Sequence, residues 1–154
     1  MNRLIRKPCP RERGAAAIEL ALVLPILLLV MAPLILYARY MWHYTVAQKA
    51  AQDAARYMST VSVVEMRSKK LTVFARSIAV EIARREVADL APGEAISSVD
   101  VLCDTHVCGS TTGSVPTTVN VFLSFHLTDT IFNMYMGPYG IPIEANVTMR
   151  YAGK

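Results

Sequence analysis

The sequence predicts an α+β chain: a long N-terminal transmembrane helix continuing into a second amphipathic helix, packed on a small antiparallel sheet of about three strands. Three observations carry this. Nineteen consecutive residues, Leu20 to Ala38, lack any charge. Apolar residues then recur at helical spacing as far as Leu90, and from Ile96 the period changes to two. At 154 residues the chain is about one domain's worth, and with 53% hydrophobic and 18% charged residues it is more apolar than an ordinary soluble domain. That balance excludes intrinsic disorder.

The formal charge of +4 lies in one place. Arg3, Arg6, Lys7, Arg11 and Arg13 stand against a single acid, Glu12, before residue 14, and the remainder is neutral with eleven bases and eleven acids. The basic character therefore describes an N-terminal tail. No basic patch interleaved with aromatics follows, so nucleic acid is not an expected partner.

A basic tail before a long apolar run fits a signal or anchor sequence, and the positive-inside rule puts the tail in the cytoplasm with everything beyond Ala38 across the membrane. The run makes about 28 Å of helix against roughly 30 Å of hydrocarbon. It is longer than the core of a secretory signal peptide, and it ends in Tyr37-Ala38-Arg39-Tyr40-Met41-Trp42, bulky aromatics suited to the headgroup level rather than to cleavage. Pro25 and Pro33 fall inside the run, where membrane helices tolerate proline.

On the near side the order is Arg13-Gly14-Ala15-Ala16-Ala17-Ile18-Glu19-Leu20, an acid placed directly before the run. Insertion scales set roughly 2.5–3.5 kcal/mol against such a charge at mid-bilayer. The positive end of the helix and snorkelling toward the headgroups offset part of that, and by themselves account for Glu19 as well as any function does.

The whole constellation resembles type IV prepilins: a short basic leader ending in Gly, then a mature chain whose fifth residue is Glu within an apolar helix. The stretch Arg13-Gly14-Ala15-Ala16-Ala17-Ile18-Glu19-Leu20-Ala21-Leu22-Val23-Leu24-Pro25, followed by the Ala-rich Val46 to Arg56, is most similar to the TadE-like pseudopilins of tight-adherence (Tad, or Flp) pilus systems. The resemblance implies cleavage by a prepilin peptidase between Gly14 and Ala15. It also implies a role for Glu19 in neutralising a neighbouring subunit's N-terminus during assembly. Physically, four residues are about 6 Å of helix, so Glu19 lies one turn above the Ala15 ammonium and, with axial stagger, within reach of a neighbour's. The family often has an aromatic after the Glu, where this chain has Leu20. Major pilins of these systems are much shorter, which favours a minor pilin or pseudopilin.

After the span, Tyr37, Met41, Tyr44, Gln48, Ala51, Ala55 and Met58 form a seam at steps of four and three, continuing one helix over 15–59. A second helix is expected from about Glu65 to Leu90. Its stripe is Leu71, Phe74, Ala75, Ile78, Ala79, Ile82, Ala83, Val87 and Leu90, and it stops before Pro92-Gly93. Three half-buried strands follow, marked by Val99-Val101-Cys103, by Val119 through Leu127 and by Ile143 through Tyr151. The loops from Asp104 to Pro116 and from Asn133 to Pro142 are the natural variable surface.

Cys9 falls in the leader with no lipobox before it. Cys103 and Cys108 would lie outside the cytoplasm, where a disulfide persists and closing so short a loop contributes about 2 kcal/mol. A metal reading through Cys103, His106 and Cys108 lacks the second ligand pair of a structural site, so no metal or cofactor is expected. Ser124, His126 and Asp129 supply hydrolase residue types, but Ser124 and His126 share one strand face without an orienting third group. His43 stands alone beside the membrane, no phosphate loop or paired carboxylate site occurs, and Asn146-Val147-Thr148 is a sequon inside a strand. No catalytic residue is assigned.

The expected organisation is thus a basic leader, 1–14, an anchor and assembly helix, 15–59, and a periplasmic α+β pilin-like domain, 60–154. The expected role is assembly of a Tad-type pilus for surface adherence. The partners implied by the resemblance are a prepilin peptidase, other pilins and pseudopilins, and the inner-membrane assembly platform. A different class is an uncleaved signal-anchored protein whose periplasmic domain binds a ligand, and a third is a secreted enzyme active without the anchor.

Overall fold

The structure is a computed structural model and describes residues 12–88, 90, 96–110, 113–128 and 139–153. The elements in chain order are α1 (Glu12–Thr60), α2 (Val63–Arg67), α3 (Lys69–Ala88), β1 (Ile96–Cys103), β2 (His106–Val107), β3 (Thr118–Leu127) and β4 (Ile141–Arg150). The chain falls into two compact units, Met1–Ala38 and Arg39–Lys154.

The first unit contributes the apolar part of α1. Every residue from Gly14 to Met31 is exposed, and only Ala32 and Leu36 are half-exposed before Ala38. A helix with aliphatic side chains all round and no protein to bury them is built for hydrocarbon. It is the one helix among the described residues long and apolar enough to cross a membrane.

In the second unit the four strands pair antiparallel in the order β2-β1-β3-β4. The α+β class is as the sequence predicts, with a short fourth strand added at the edge. Alternation sets the inner face: Val99 and Val101 on β1, Val119, Val121, Leu123, Phe125 and Leu127 on β3, and Ile143 and Ala145 on β4 are all buried. α3 packs on β1. The rest of the core comes from α1, where Ala47, Ala50, Ala51, Ala54, Ala55 and Met58 are fully buried.

Two helical expectations are corrected. The seam of α1 keeps its upper members, Ala51, Ala55 and Met58, but Tyr37, Met41 and Tyr44 are exposed, and the buried row runs His43, Ala47, Ala50, Ala54. Alanine wins this face because it brings backbones close and loses no side-chain entropy on burial. The second helix is broken at Ser68. Ser62 caps α2 through a capping box with Glu65, Ser62 N–H donating to Glu65 Oε2 (3.1 Å) and Glu65 N–H to Ser62 Oγ (3.3 Å). The buried Thr72 Oγ1 then stands 3.0 Å from the carbonyls of Glu65, Met66 and Ser68, a hydroxyl donor added at the break, where Glu65 O already accepts from Ser68 N–H and Ser68 O from Thr72 N–H. α3 ends at Ala88, and Pro92-Gly93 lies outside the described residues.

The strand ends are tied back to the helices. Ala152 N–H donates to Ser59 O (3.0 Å) and Tyr151 Oη to Val61 O (2.6 Å). Burial and the nearby Glu65 carboxylate push the Tyr151 phenol above its ordinary pKa.

Candidate functional site

The residues singled out at the N-terminus all fall on α1. Gly14, Ala15 and Glu19 are exposed, with Glu19 one turn beyond Ala15 among aliphatic side chains. A Cβ built on Gly14 would meet nothing within 4 Å. Among the described residues the fold therefore gives no steric reason for glycine at this position. Residues 1–11, with most of the basic leader and Cys9, lie outside the described residues.

The aromatic stretch divides by face. Trp42 is exposed, whereas His43, the next residue, is completely buried. His43 Nδ1–H donates to Arg39 O at 2.8 Å, and Nε2 is buried with no hydrogen-bond partner among the described residues. The Trp42 ring stands edge-on to the imidazole with centroids 5.6 Å apart. His43 is thus a core residue of the second unit, where the sequence placed it alone beside the membrane.

Cys103 and Cys108 are joined as a disulfide across the β1–β2 turn, Cα atoms 4.9 Å apart. The turn needs Asp104 at φ 57°, which an acidic residue tolerates better than most. Its carboxylate accepts from Thr117 Oγ1 (2.6 Å), Thr117 N–H (3.0 Å) and Thr118 N–H (2.9 Å), clasping the turn to the start of β3. These donors, the Thr117 hydroxyl first, hold the Asp104 carboxyl below its ordinary pKa. Gly109, at φ 87°, lies against α3, where an added Cβ would come within 2.6 Å of Val73 Cγ2. A cavity of about 100 Å³ beside the bridge is lined by Met66, Thr72, Asp104, His106 and Ser114, room for a few waters. Among the described residues no three His, Cys, Asp or Glu side chains gather as metal ligands. Bridged sulfurs offer no thiolate to pair with His106.

Ser124 and His126 share the outer face of β3, with Ser124 Oγ 2.9 Å from Ser98 Oγ on β1. Asp129 lies outside the described residues, as does most of the predicted loop from Asn133 to Pro142. Asn146 of the sequon accepts from Asn120 Nδ2 at 2.6 Å in a ladder that includes Thr148, a cross-strand contact.

One constellation was not read from the sequence. Glu86 on α3 lies beside Asp53 on α1, and its Oε2 is buried with no hydrogen-bond partner among the described residues. Burial, then the Asp53 hydrogen bond and charge, raise the Glu86 pKa against the opposing pull of Lys49. The Lys49–Asp53 spacing was legible as a helix pair, but only the packing of α3 brings in the second carboxyl.

The fold and these sites define a protein with one membrane-type helix, an α+β domain and no assembled catalytic centre among the described residues. The family model described as TadE-like protein matches residues 14–56, the stretch that carries Gly14, Glu19 and the alanine row. TadE-like proteins are components associated with Tad pili. No curated protein and no solved structure matches the chain.

Proposed function

We propose that this chain is a minor pilin or pseudopilin of a Tad (Flp) type IV pilus. On this reading a prepilin peptidase cuts between Gly14 and Ala15 on the cytoplasmic side. Leu20 to Ala38 anchors the mature chain in the inner membrane as a single pass, the α+β domain occupies the periplasm, and the Cys103–Cys108 bridge forms there. The mature helix later joins other pilins or pseudopilins at the inner-membrane assembly platform, in a pilus used for surface adherence.

The observation that carries the reading is the acid Glu19, four residues beyond Ala15, on the exposed apolar part of a helix inside the matched segment. A carboxylate in that place is costly in lipid unless something neutralises it, and a second subunit's new ammonium does so only on docking.

Two measurements test it. Intact mass and N-terminal sequencing of protein from native membranes should give a chain beginning at Ala15; one retaining Met1 or Asn2 would favour the uncleaved signal-anchored alternative. Glu19→Gln should leave the protein in the membrane and cut sheared pili by at least about tenfold, the loss expected for about 1.4 kcal/mol per docking event. Normal piliation in that variant would remove Glu19 from the mechanism.

A further inference from the structure

The bonds that tie the end of β4 to the end of α1 also fix how far each element reaches. Tyr151 Oη donates to Val61 O and Ala152 N–H to Ser59 O. From that tie α1 runs back with Met58, Ala55, Ala51, Ala47 and His43 buried in turn, a contact of about 22 Å. The three long strands together are only about 10 Å across but about 30 Å along. A contact of that length fits along the strands and not across them, which carries α1 from the tie toward the Leu127–Ile141 end of the sheet.

A strand advances about 3.3 Å per residue and a helix about 1.5 Å. The ten residues of β4, with Tyr151 next, therefore match about 22 residues of α1. Counted down from Val61, the start of β4 stands level with Arg39, and an inclination between helix and strand raises that level by about a turn, toward Trp42. With Leu20–Ala38 in hydrocarbon, Arg39 to Trp42 fall in the headgroup layer, about 5–7 Å deep on each side.

The described surface at this end suits that layer. Trp42 is 59% exposed, and Tyr139, 82% exposed, is held at the rim by Gly140, whose φ of 73° turns the chain tightly past Leu127 O. Both rings join an apolar body to a polar N–H or O–H, the combination that collects at bilayer interfaces. Phe125–Thr128, Tyr139–Ile143 and Arg39–Gln52 contain no carboxylate, and their only formal charges, Arg39 and Lys49, have the sign that anionic lipid attracts. The first acid up β4, Glu144, stands about 10 Å beyond Ile141.

We propose that Tyr139 and Trp42 form a foot that seats this end of the α+β domain in the phospholipid headgroup layer, the two rings among the glycerol and carbonyl groups. The domain is then attached twice, through α1 and through the β3–β4 end, and stands at a fixed height above the hydrocarbon. This seat needs only the membrane helix, so it goes beyond the pilus reading and forms in a cleaved or an uncleaved chain alike.

Trp42 is the chain's single tryptophan, so Trp42→Phe clears the background for a fluorescent reporter elsewhere. The full-length chain with Trp42→Phe and Tyr139→Trp is reconstituted in vesicles of phosphatidylethanolamine and phosphatidylglycerol, brominated either near the glycerol end of the acyl chains or near their methyl end. The reporter should be quenched at least about twofold more by the shallow bromines than by the deep ones. Aqueous iodide should quench it at least about twofold less than it quenches a Val64→Trp reporter in the same background, at a position 76% exposed on α2 near the tie. Iodide reaching position 139 as freely as position 64 would overturn the proposal. So would stronger quenching by the deep bromines, or equal quenching by lipid at both positions, which would lay the domain flat. If Tyr139→Trp melts below the wild type in detergent, Pro142→Trp, at an exposed position of the same end, carries the reporter with the same expectations. Intact mass of the same chain from native membranes reports cleavage after Gly14, so failure of the foot and failure of the pilus reading are told apart.

Discussion

Between Leu20 and Leu36, α1 carries its largest aliphatic side chains and buries none of them; between Ala47 and Met58 it carries mostly alanine and buries six residues completely. Hydrophobicity alone would have ranked these stretches the other way round. What separates them is the solvent each is shaped for. Long branched side chains on every side suit lipid, which needs no complementary surface. A narrow row of methyl groups suits a protein core, where density depends on close approach.

Exchanging the two characters tests this contrast. Ala54→Leu adds bulk to a fully buried position and should destabilise the domain by about 1–3 kcal/mol, read as a lower melting temperature in detergent. Leu27→Ala, at an exposed position in the apolar run, should leave that melting temperature unchanged. An equal loss from both would mean that the two stretches share one core.

A smaller effect comes from hydroxyls. Thr72→Val removes the buried hydroxyl donor beside Met66 O at the α2–α3 break, while Glu65 O and Ser68 O keep their backbone donors, and should cost about 1–2 kcal/mol in denaturant unfolding. Thr45 also donates to helix carbonyls, at 2.7 Å to Met41 O, but in an exposed setting, so Thr45→Val should be nearly silent.

The smallest effects are pH dependences of opposite sign. Asp104 has a depressed folded pKa, so its contribution is complete above the ordinary Asp value near about 4 and disappears as pH falls through the folded value. Asp104→Asn should therefore lower stability at neutral pH and converge with the wild type in acid. Glu86 has a raised folded pKa, so the folded state holds its proton more tightly and stability declines as pH rises through that value. Glu86→Gln should flatten that decline, measured as unfolding midpoint against pH.

Much of the fold was legible because its signals are periodic. Alternation in Val119 to Leu127 places the inner face of β3 residue by residue, and the chargeless run marks the membrane helix. The break at Ser68 was hidden because apolar spacing continues through it, although Ser62 and Glu65 carried the capping-box signal. Leu71 and Phe74 share one stripe with residues that are buried because a stripe records phase and not depth; which side of it meets the sheet is settled by the alanines. The two-residue β2 is too short to have a period. For the site, Gly14 and Glu19 could be named but not explained by the free chain, and the Asp53–Glu86 pair needed the packing of two helices distant in sequence.

The hydrogen bonds from Tyr151 and Ala152 to the end of α1 set an order of events during synthesis. The Tyr151–Val61 bond spans 90 residues, so its donor leaves the ribosome after all four strands of the sheet. Antiparallel neighbours β1, β2 and β3 can pair as they emerge, but the Ser59 and Val61 carbonyls wait for these donors until β4 and the residues after it have emerged. The clasp therefore forms only after β4 has emerged, and a chain interrupted just before Tyr151 holds its strands without the contact that closes them on the helix.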